Sequence, residues 1–237
     1  MSSSGAVAPR DTRYQPIAPF WHTVLVLVPI AIGSVASAYQ HGLPNANLYG
    51  LSHRLSGYVT VLFEEWLGVL LVWLALRQTG HSLGSLVSGR WQRSRAFFRD
   101  LGFAIGFMFV VVPLVGALAY LLGANNNPAL ANITPKMLVE LIVFLVLTAS
   151  AGFAEELVFR GYLTRQFSAW TGSAALGIIL QGIVFGLAHG FYGKAMVAVM
   201  VQGSLLGVLA YWRKTLRPGM LAHWLQDSIG GVVAFFS

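Results

Sequence analysis

Apolar residues along this chain gather into long runs separated by short polar connections. Runs at about 20–39, 56–76 and 101–122 precede an Asn/Pro-rich connection at 124–135, a fourth run starts near Met137, and three more lie within 174–191, 194–212 and 220–236. Runs of roughly 20 residues suit helices crossing a hydrocarbon core about 30 Å thick, whereas the strands of a membrane barrel alternate over about 10. The pattern predicts an all-α polytopic membrane bundle of about seven transmembrane helices, with a kink in the third at Pro113. Gly182, Gly186 and Gly190 recur every fourth residue, as do Gly203 and Gly207. Such stripes predict smooth faces for close helix contact in spans five and six.

Between the runs, 1–18 reads as a loose cytoplasmic tail, 19–136 as three amino-terminal spans, and 137–237 as a four-span core. Ala36-Ser37-Ala38, closing the first run, has the small-residue pattern of a signal-peptidase site. A cleaved leader is therefore the alternative to a retained first span. The Gly/Ser-rich connection from Arg77 to Asp100 suggests a surface-lying helix at 91–98.

Composition agrees with a membrane protein: 56% of the 237 residues are hydrophobic and 10% charged, against about 25% charged in an ordinary soluble domain. Cysteine is absent, which excludes a disulfide framework, a thiolate nucleophile and a cysteine zinc site. The net charge of +7 is dispersed over connections between spans, so topology accounts for it and no nucleic-acid partner is expected. With the amino terminus inside, twelve basic residues are cytoplasmic: Arg10, Arg13, the five arginines from Arg77 to Arg99, Arg160, Arg165, Arg213, Lys214 and Arg217. Three, Arg54, Lys136 and Lys194, are external. The expectation is an integral plasma (inner) membrane protein with its carboxyl terminus outside.

The candidate chemistry sits where the apolar runs are interrupted. Glu155 and Glu156 follow the uncharged stretch 141–151, and ionisable groups within a bilayer are costly and usually functional. Arg160 is four residues beyond Glu156, on the same helix face, so it neutralises Glu156 and leaves Glu155 free. Phe185 and His189, and His223 and Asp227, are further i, i+4 pairs. A charge facing lipid costs about 2.5 to 3.5 kcal/mol, so groups on three spans are expected to converge on one interior cavity, an interhelical structural network being the plainer alternative. Glu64 and Glu65 form another acidic pair, but Val69 stands where Arg160 would and no histidine motif adjoins them. They read as structural or cavity-lining. Glu140 reads as an interfacial partner of Lys136.

Glu155-Glu156-x-x-x-Arg160, Phe185-x-x-x-His189 and His223-x-x-x-Asp227 resemble, in that order, the three-motif signature of the CPBP family, the CAAX-protease and bacteriocin-processing (Abi) membrane proteins. The likeness covers about 137–236. It implies an intramembrane endopeptidase whose helical-bundle cavity opens to the cytoplasm and whose first glutamate and first histidine activate water. Eukaryotic relatives remove the last three residues of prenylated CAAX proteins, which implies a membrane-associated or lipidated protein or peptide as partner. The family's third motif commonly ends in Asn, where this chain has Asp227; an amide donates hydrogen bonds and an ionised carboxylate only accepts them.

The expected mechanism is peptide hydrolysis by a water held between Glu155 and His189. His223 stabilises the oxyanion, Asp227 orients the His223 ring, and Glu156, Arg160 and Phe185 support the site. No cofactor is expected. A zinc site of His189, His223 and Glu155 is the alternative, although the helical His-Glu-x-x-His pattern is missing. A non-enzymatic immunity or scaffold protein, or a proton-coupled transporter, is the rival class. Depth sets one condition. Glu155 and His189 share a water only if span four runs past Arg160 through 161–167, or if span five starts later than residue 174.

Overall fold

The computed structural model describes residues 15–41, 51–124 and 128–237. Most of the expected tail, with Arg10 and Arg13, lies outside the described residues, as do Gly42, Pro44 and Asn45 of the first loop and residues 125–127 of the second. The side chains of Ser37 and Ala38, in the signal-peptidase pattern, lie outside them too.

Among the described residues every regular element is helical. The ten α-helices are α1 (Phe20–His41), α2 (Leu51–Gln78), α3 (Leu83–Val87), α4 (Ser94–Leu121), α5 (Pro128–Ile133), α6 (Leu138–Glu155), α7 (Thr164–Thr171), α8 (Ala174–Ala188), α9 (Met196–Arg213) and α10 (Arg217–Phe236). A π-helical segment, Glu156–Leu163, joins α6 to α7, and a 3-10 turn, Gly190–Ala195, joins α8 to α9. Helices are the natural outcome for uncharged apolar runs, because in lipid every backbone polar group must be satisfied within its own segment. Four stretches are long and apolar enough to cross a membrane: His53–Gln78, Ser94–Leu121, Leu138–Thr171 and Gly190–Arg213. Shorter apolar helices occupy Phe20–Ala36 and Ala174–Ala188. With α10 these make the seven apolar runs of the sequence, packed as a polytopic membrane helical bundle.

The depth condition is met by the first of its two routes. The helix bearing Glu155 does not stop near Arg160 but continues to Thr171, 34 residues in all, or about 50 Å. Counted from the turn at Gly172 and Ser173, Glu155 and His189 both stand about 24 Å along their helices. Arg160 is accordingly buried inside the bundle at 3% exposure, so it leaves the cytoplasmic tally and the count becomes eleven against three.

Two other expectations change. The stretch 91–98 is not a separate surface helix: Ser94 opens α4, which runs unbroken through Pro113, and the short helix of that connection is α3. The tail's last residues are docked, since Gln166 Oε1 accepts from the Ile17 and Ala18 amides at 2.7 and 3.1 Å while its Nε2 donates to the Ala18 carbonyl. Glycine stripes do join α8 to α9. A Cβ on Gly182 would run into Ser204, one on Gly186 into Met200, and one on Gly203 would come within 2.8 Å of Phe185.

Helix ends cluster as an alternating bundle requires. At one end Asp100 is fully buried among Arg217 at 3.1 Å, Arg99 at 3.6 Å and Arg213 at 3.9 Å, with Trp91 Nε1 donating to it at 3.0 Å. Arg165 donates to the Ser85 carbonyl at the same end. At the other end Glu140 pairs with Arg54 at 2.7 Å and accepts from the Lys136 and Met137 amides. The predicted partner was the Lys136 side chain; the capping geometry of α6 uses the Lys136 backbone instead, and α2 supplies the cation.

Candidate active site

The three motifs meet around α6 and its π-helical continuation, which pack against α2, α8 and α10. In the π segment the Thr164 amide reaches the Phe159 carbonyl five residues back. Single π turns within α-helices occur frequently at functional sites, and here all eight residues of the turn are buried. Glycines admit the neighbouring helix. A Cβ on Gly152 would lie 2.9 Å from the Met220 carbonyl, and one on Gly219 would lie 3.0 Å from Glu156 Oε2. These two positions let α10 approach closely enough for His223 to reach Glu156.

At the centre is one carboxylate oxygen. Glu156 Oε1 lies 3.1 Å from Arg160 and accepts a hydrogen bond from His223 Nδ1, also at 3.1 Å. Glu156 is fully buried, and the guanidinium of Arg160 packs over the Phe185 ring, 4.0 Å from its centroid. The guanidinium nitrogens make no well-aligned hydrogen bond; the ion pair and the cation–π contact hold them. The i, i+4 pairing of Glu156 with Arg160 was legible in the sequence, and the second engagement of the same oxygen was not.

His223 turns its other nitrogen toward the accessible side. Nε2 lies 3.4 Å from Asp227 Oδ2 and 3.7 Å from Glu155 Oε2. Sequence spacing predicts Asp227 as the partner that orients the ring; the structure places a carboxylate at each nitrogen, with Glu156 the nearer. Carboxylates accept only, so contact between Nε2 and either one needs a proton, on the nitrogen or on the oxygen. Exposure rises outward, from sealed Glu156 through Glu155 at 18% to Asp227 at 36% of the side chain.

His189 caps α8, and its Nδ1 donates to the Phe185 carbonyl at 2.8 Å. A carbonyl only accepts, so Nδ1 carries hydrogen and Nε2 of the neutral ring has its lone pair free. Phe185 links the two histidines, with ring centroids 4.7 Å from His189 and 5.9 Å from His223.

Two residues join this neighbourhood that sequence reasoning gave no role in catalysis. Tyr192 stacks on His189 at 5.8 Å and 19°, within electrostatic range of Asp227 and Glu155. Its signal in the sequence is position: it lies three residues past His189, in the turn that follows. Glu65, from α2, is 9% exposed and feels the charges of Glu155, His223 and Asp227. No local pattern separates it from Glu64.

Among the described residues no group of three His, Asp or Glu side chains is arranged to hold a metal ion. In the set His189, His223 and Glu155, each histidine donates through Nδ1 to an acceptor, which leaves its Nε2 for ligation, and His223 Nε2 lies 3.7 Å from Glu155 Oε2.

Residues 137–229 match the family model described as type II CAAX prenyl endopeptidase Rce1-like. That segment, less than half of the chain, is similar to the Rce1-like family. All three motifs lie inside the match, which agrees with the likeness to the CAAX-protease and bacteriocin-processing membrane proteins. A relative, the "Uncharacterized protein YpbD" of Bacillus subtilis (strain 168), is 33% identical over 91 residues, covering 37% of this chain and 42% of that protein. The chain thus spans less than half the length of the curated relative it matches. No solved structure matches it.

Proposed function

We propose that the chain is an intramembrane endopeptidase of the glutamate type, hydrolysing a peptide bond near the carboxyl terminus of a membrane-associated, CAAX-like protein or peptide. Prenylated sequences are its first candidates. The observation that carries the reading is the division of labour between adjacent glutamates: Glu156 is consumed by Arg160 and His223, while Glu155 Oε2 has no hydrogen-bond partner, in a side chain that stays 18% exposed.

Glu155 and the free Nε2 of His189 accept the two hydrogens of a water and aim its lone pair at the scissile carbonyl carbon. As the carbon–oxygen bond forms, the water proton passes to Glu155. His223, when protonated at Nε2, donates to the developing oxyanion, its ring fixed through Nδ1 by Glu156. Collapse breaks the carbon–nitrogen bond, and the proton on Glu155 leaves with the amine. Asp227 faces the same His223 nitrogen and sets how that proton is held.

The membrane setting follows the charge distribution. Eleven basic residues against three assign the end bearing Asp100, Arg213 and Arg217 to the cytoplasm, the amino terminus with it, and the carboxyl terminus to the outside. Cysteines placed singly at Ser4 and Ser237 test this with an impermeant reagent: Ser237 labels in intact cells and Ser4 does not.

The function is tested with purified protein and a prenylated peptide library, read by mass spectrometry, beside Glu155→Gln. The expected result is cleavage that survives a strong chelator, in protein with well under one zinc per chain. Stoichiometric zinc with chelator inactivation overturns the glutamate mechanism. Failure to cleave any peptide in either lipidation state overturns the enzyme reading in favour of an immunity, scaffold or proton-coupled transport role.

A further inference from the structure

Glu65 is held as if for a ligand. The Trp66 indole N–H donates to Ser150 Oγ at 3.0 Å, and Ser150 in turn donates to Glu65 Oε2 at 2.5 Å. An indole N–H can only donate, so the Ser150 hydroxyl hydrogen is directed onto the carboxylate. This chain of two bonds ties α2 to α6 and fixes the carboxylate plane. The second oxygen, Oε1, is buried and has no hydrogen-bond partner. A buried acceptor without a donor is costly, and more so for a charged group.

Charge points the same way. Glu155, Asp227 and His223 surround Glu65 electrostatically, and Glu156 lies behind His223. Four carboxyl groups gather about Arg160, His223 and His189, so with all four ionised the anions outnumber the cations even with both histidines charged. An uncompensated anion within a bilayer is expensive. Trp66 and Phe153, stacked at 6.1 Å, are both exposed on the surface of the α2–α6 contact.

We propose that Glu65 is the anionic anchor of a substrate subsite, and that preferred substrates carry a lysine or arginine side chain within a residue or two of the scissile bond. The cationic head supplies the missing donor to Oε1 and balances the surplus charge, with Asp227 as the second carboxylate of the subsite. This rests on the endopeptidase reading and names its substrate class.

The test uses the full chain in zwitterionic nanodiscs and matched fluorogenic peptides with lysine, its neutral isostere norleucine, or glutamate at each position flanking the cleaved bond. At one flanking position kcat/KM for lysine exceeds that for norleucine by about tenfold or more, mainly through KM, and glutamate is worse than either. Glu65→Gln brings the lysine-to-norleucine ratio close to one. Equal rates for lysine and norleucine at every position overturn the proposal, as does a Glu65→Gln variant with the ratio intact. Because the peptides change no protein residue, the preference is readable even where that variant fails to fold. Anisotropy binding of the same peptides separates the two failures: if nothing is cleaved yet lysine peptides bind tighter, the subsite stands and the hydrolase reading falls, whereas cleavage without charge preference removes only the subsite.

Discussion

The chain carries two Glu-Glu pairs in membrane-spanning helices, and they differ in what reaches them from other helices. On α2, Glu64 is exposed and lies against α1, where a Cβ on Gly33 would come within 3.0 Å of its carboxylate, while Glu65 turns inward to Ser150. At the end of α6, Glu155 stays partly open and Glu156 is sealed beneath α10. The residue four beyond Glu65 is Val69, buried in the apolar core; the residue four beyond Glu156 is Arg160. A cation on the same face turns the second carboxylate into a fixed support, and the histidine delivered by α10 gives that support something to hold. Without these, the same dipeptide on α2 becomes one surface charge and one buried acceptor held only by the Ser150 hydroxyl.

The largest expected effect comes from removing the free glutamate of the second pair. Glu155→Gln lowers kcat by about two to four orders of magnitude, the usual contribution of a general base. Folded yield is nearly unchanged, since the replacement is isosteric and neutral. Rates on a cleaved library peptide, beside size-exclusion profiles, check both halves. Glu156→Gln acts mainly on stability: it strands a buried guanidinium, for which losses of about 3 to 5 kcal/mol are usual, and it weakens the grip on His223. Denaturation in detergent measures the loss. An exchange of these two phenotypes reverses the assignment of roles.

Much of this could be read from residue order alone, because bilayer chemistry leaves few choices. Long uncharged runs must be helices, and the three i, i+4 pairs fall on the helices expected of them. Two kinds of information were hidden. The π-helical segment, by carrying the helix past Arg160, set the depth of Glu155 and moved Arg160 from the expected cytoplasmic end of its helix into the core; periodicity assumes an α-helix and does not announce such a turn. The engagement of both His223 nitrogens, and the approach of Glu65, depend on how closely α10 and α2 pack on α6. Gly152 and Gly219 control that spacing on the α10 side, yet neither belongs to the four-residue stripes that drew attention to α8 and α9.

Gly219→Ala sharpens the comparison from the packing side, with an effect below that of Glu156→Gln. The added methyl would sit 3.0 Å from Glu156 Oε2, so carboxylate or helix must shift. Overpacking of this kind costs about 1 to 3 kcal/mol. It also displaces His223 from Glu156, so kcat falls with stability. Gly57→Ala, on α2 with nothing within 4 Å of the new Cβ, is the control. Equal melting temperatures for the two variants would refute the claim that close α10 packing builds the site.

The smallest effect belongs to Glu64, and its smallness is the point. Its carboxylate is exposed beside α1 and has none of the contacts that fix Glu65, Glu155 or Glu156. Glu64→Gln is therefore expected to leave kcat/KM within about twofold and stability within about 0.5 kcal/mol, the range of ordinary surface substitutions. Any shift should be upward, because the variant removes a charge from a helix in lipid. Side-by-side assays of Glu64→Gln and Glu155→Gln on one peptide read the contrast directly. A loss at Glu64 comparable with that at Glu155 would mean that α2 lends its exposed carboxylate to the chemistry, and the division between the pair on α6 that carries the hydrolysis and the pair on α2 that does not would no longer hold.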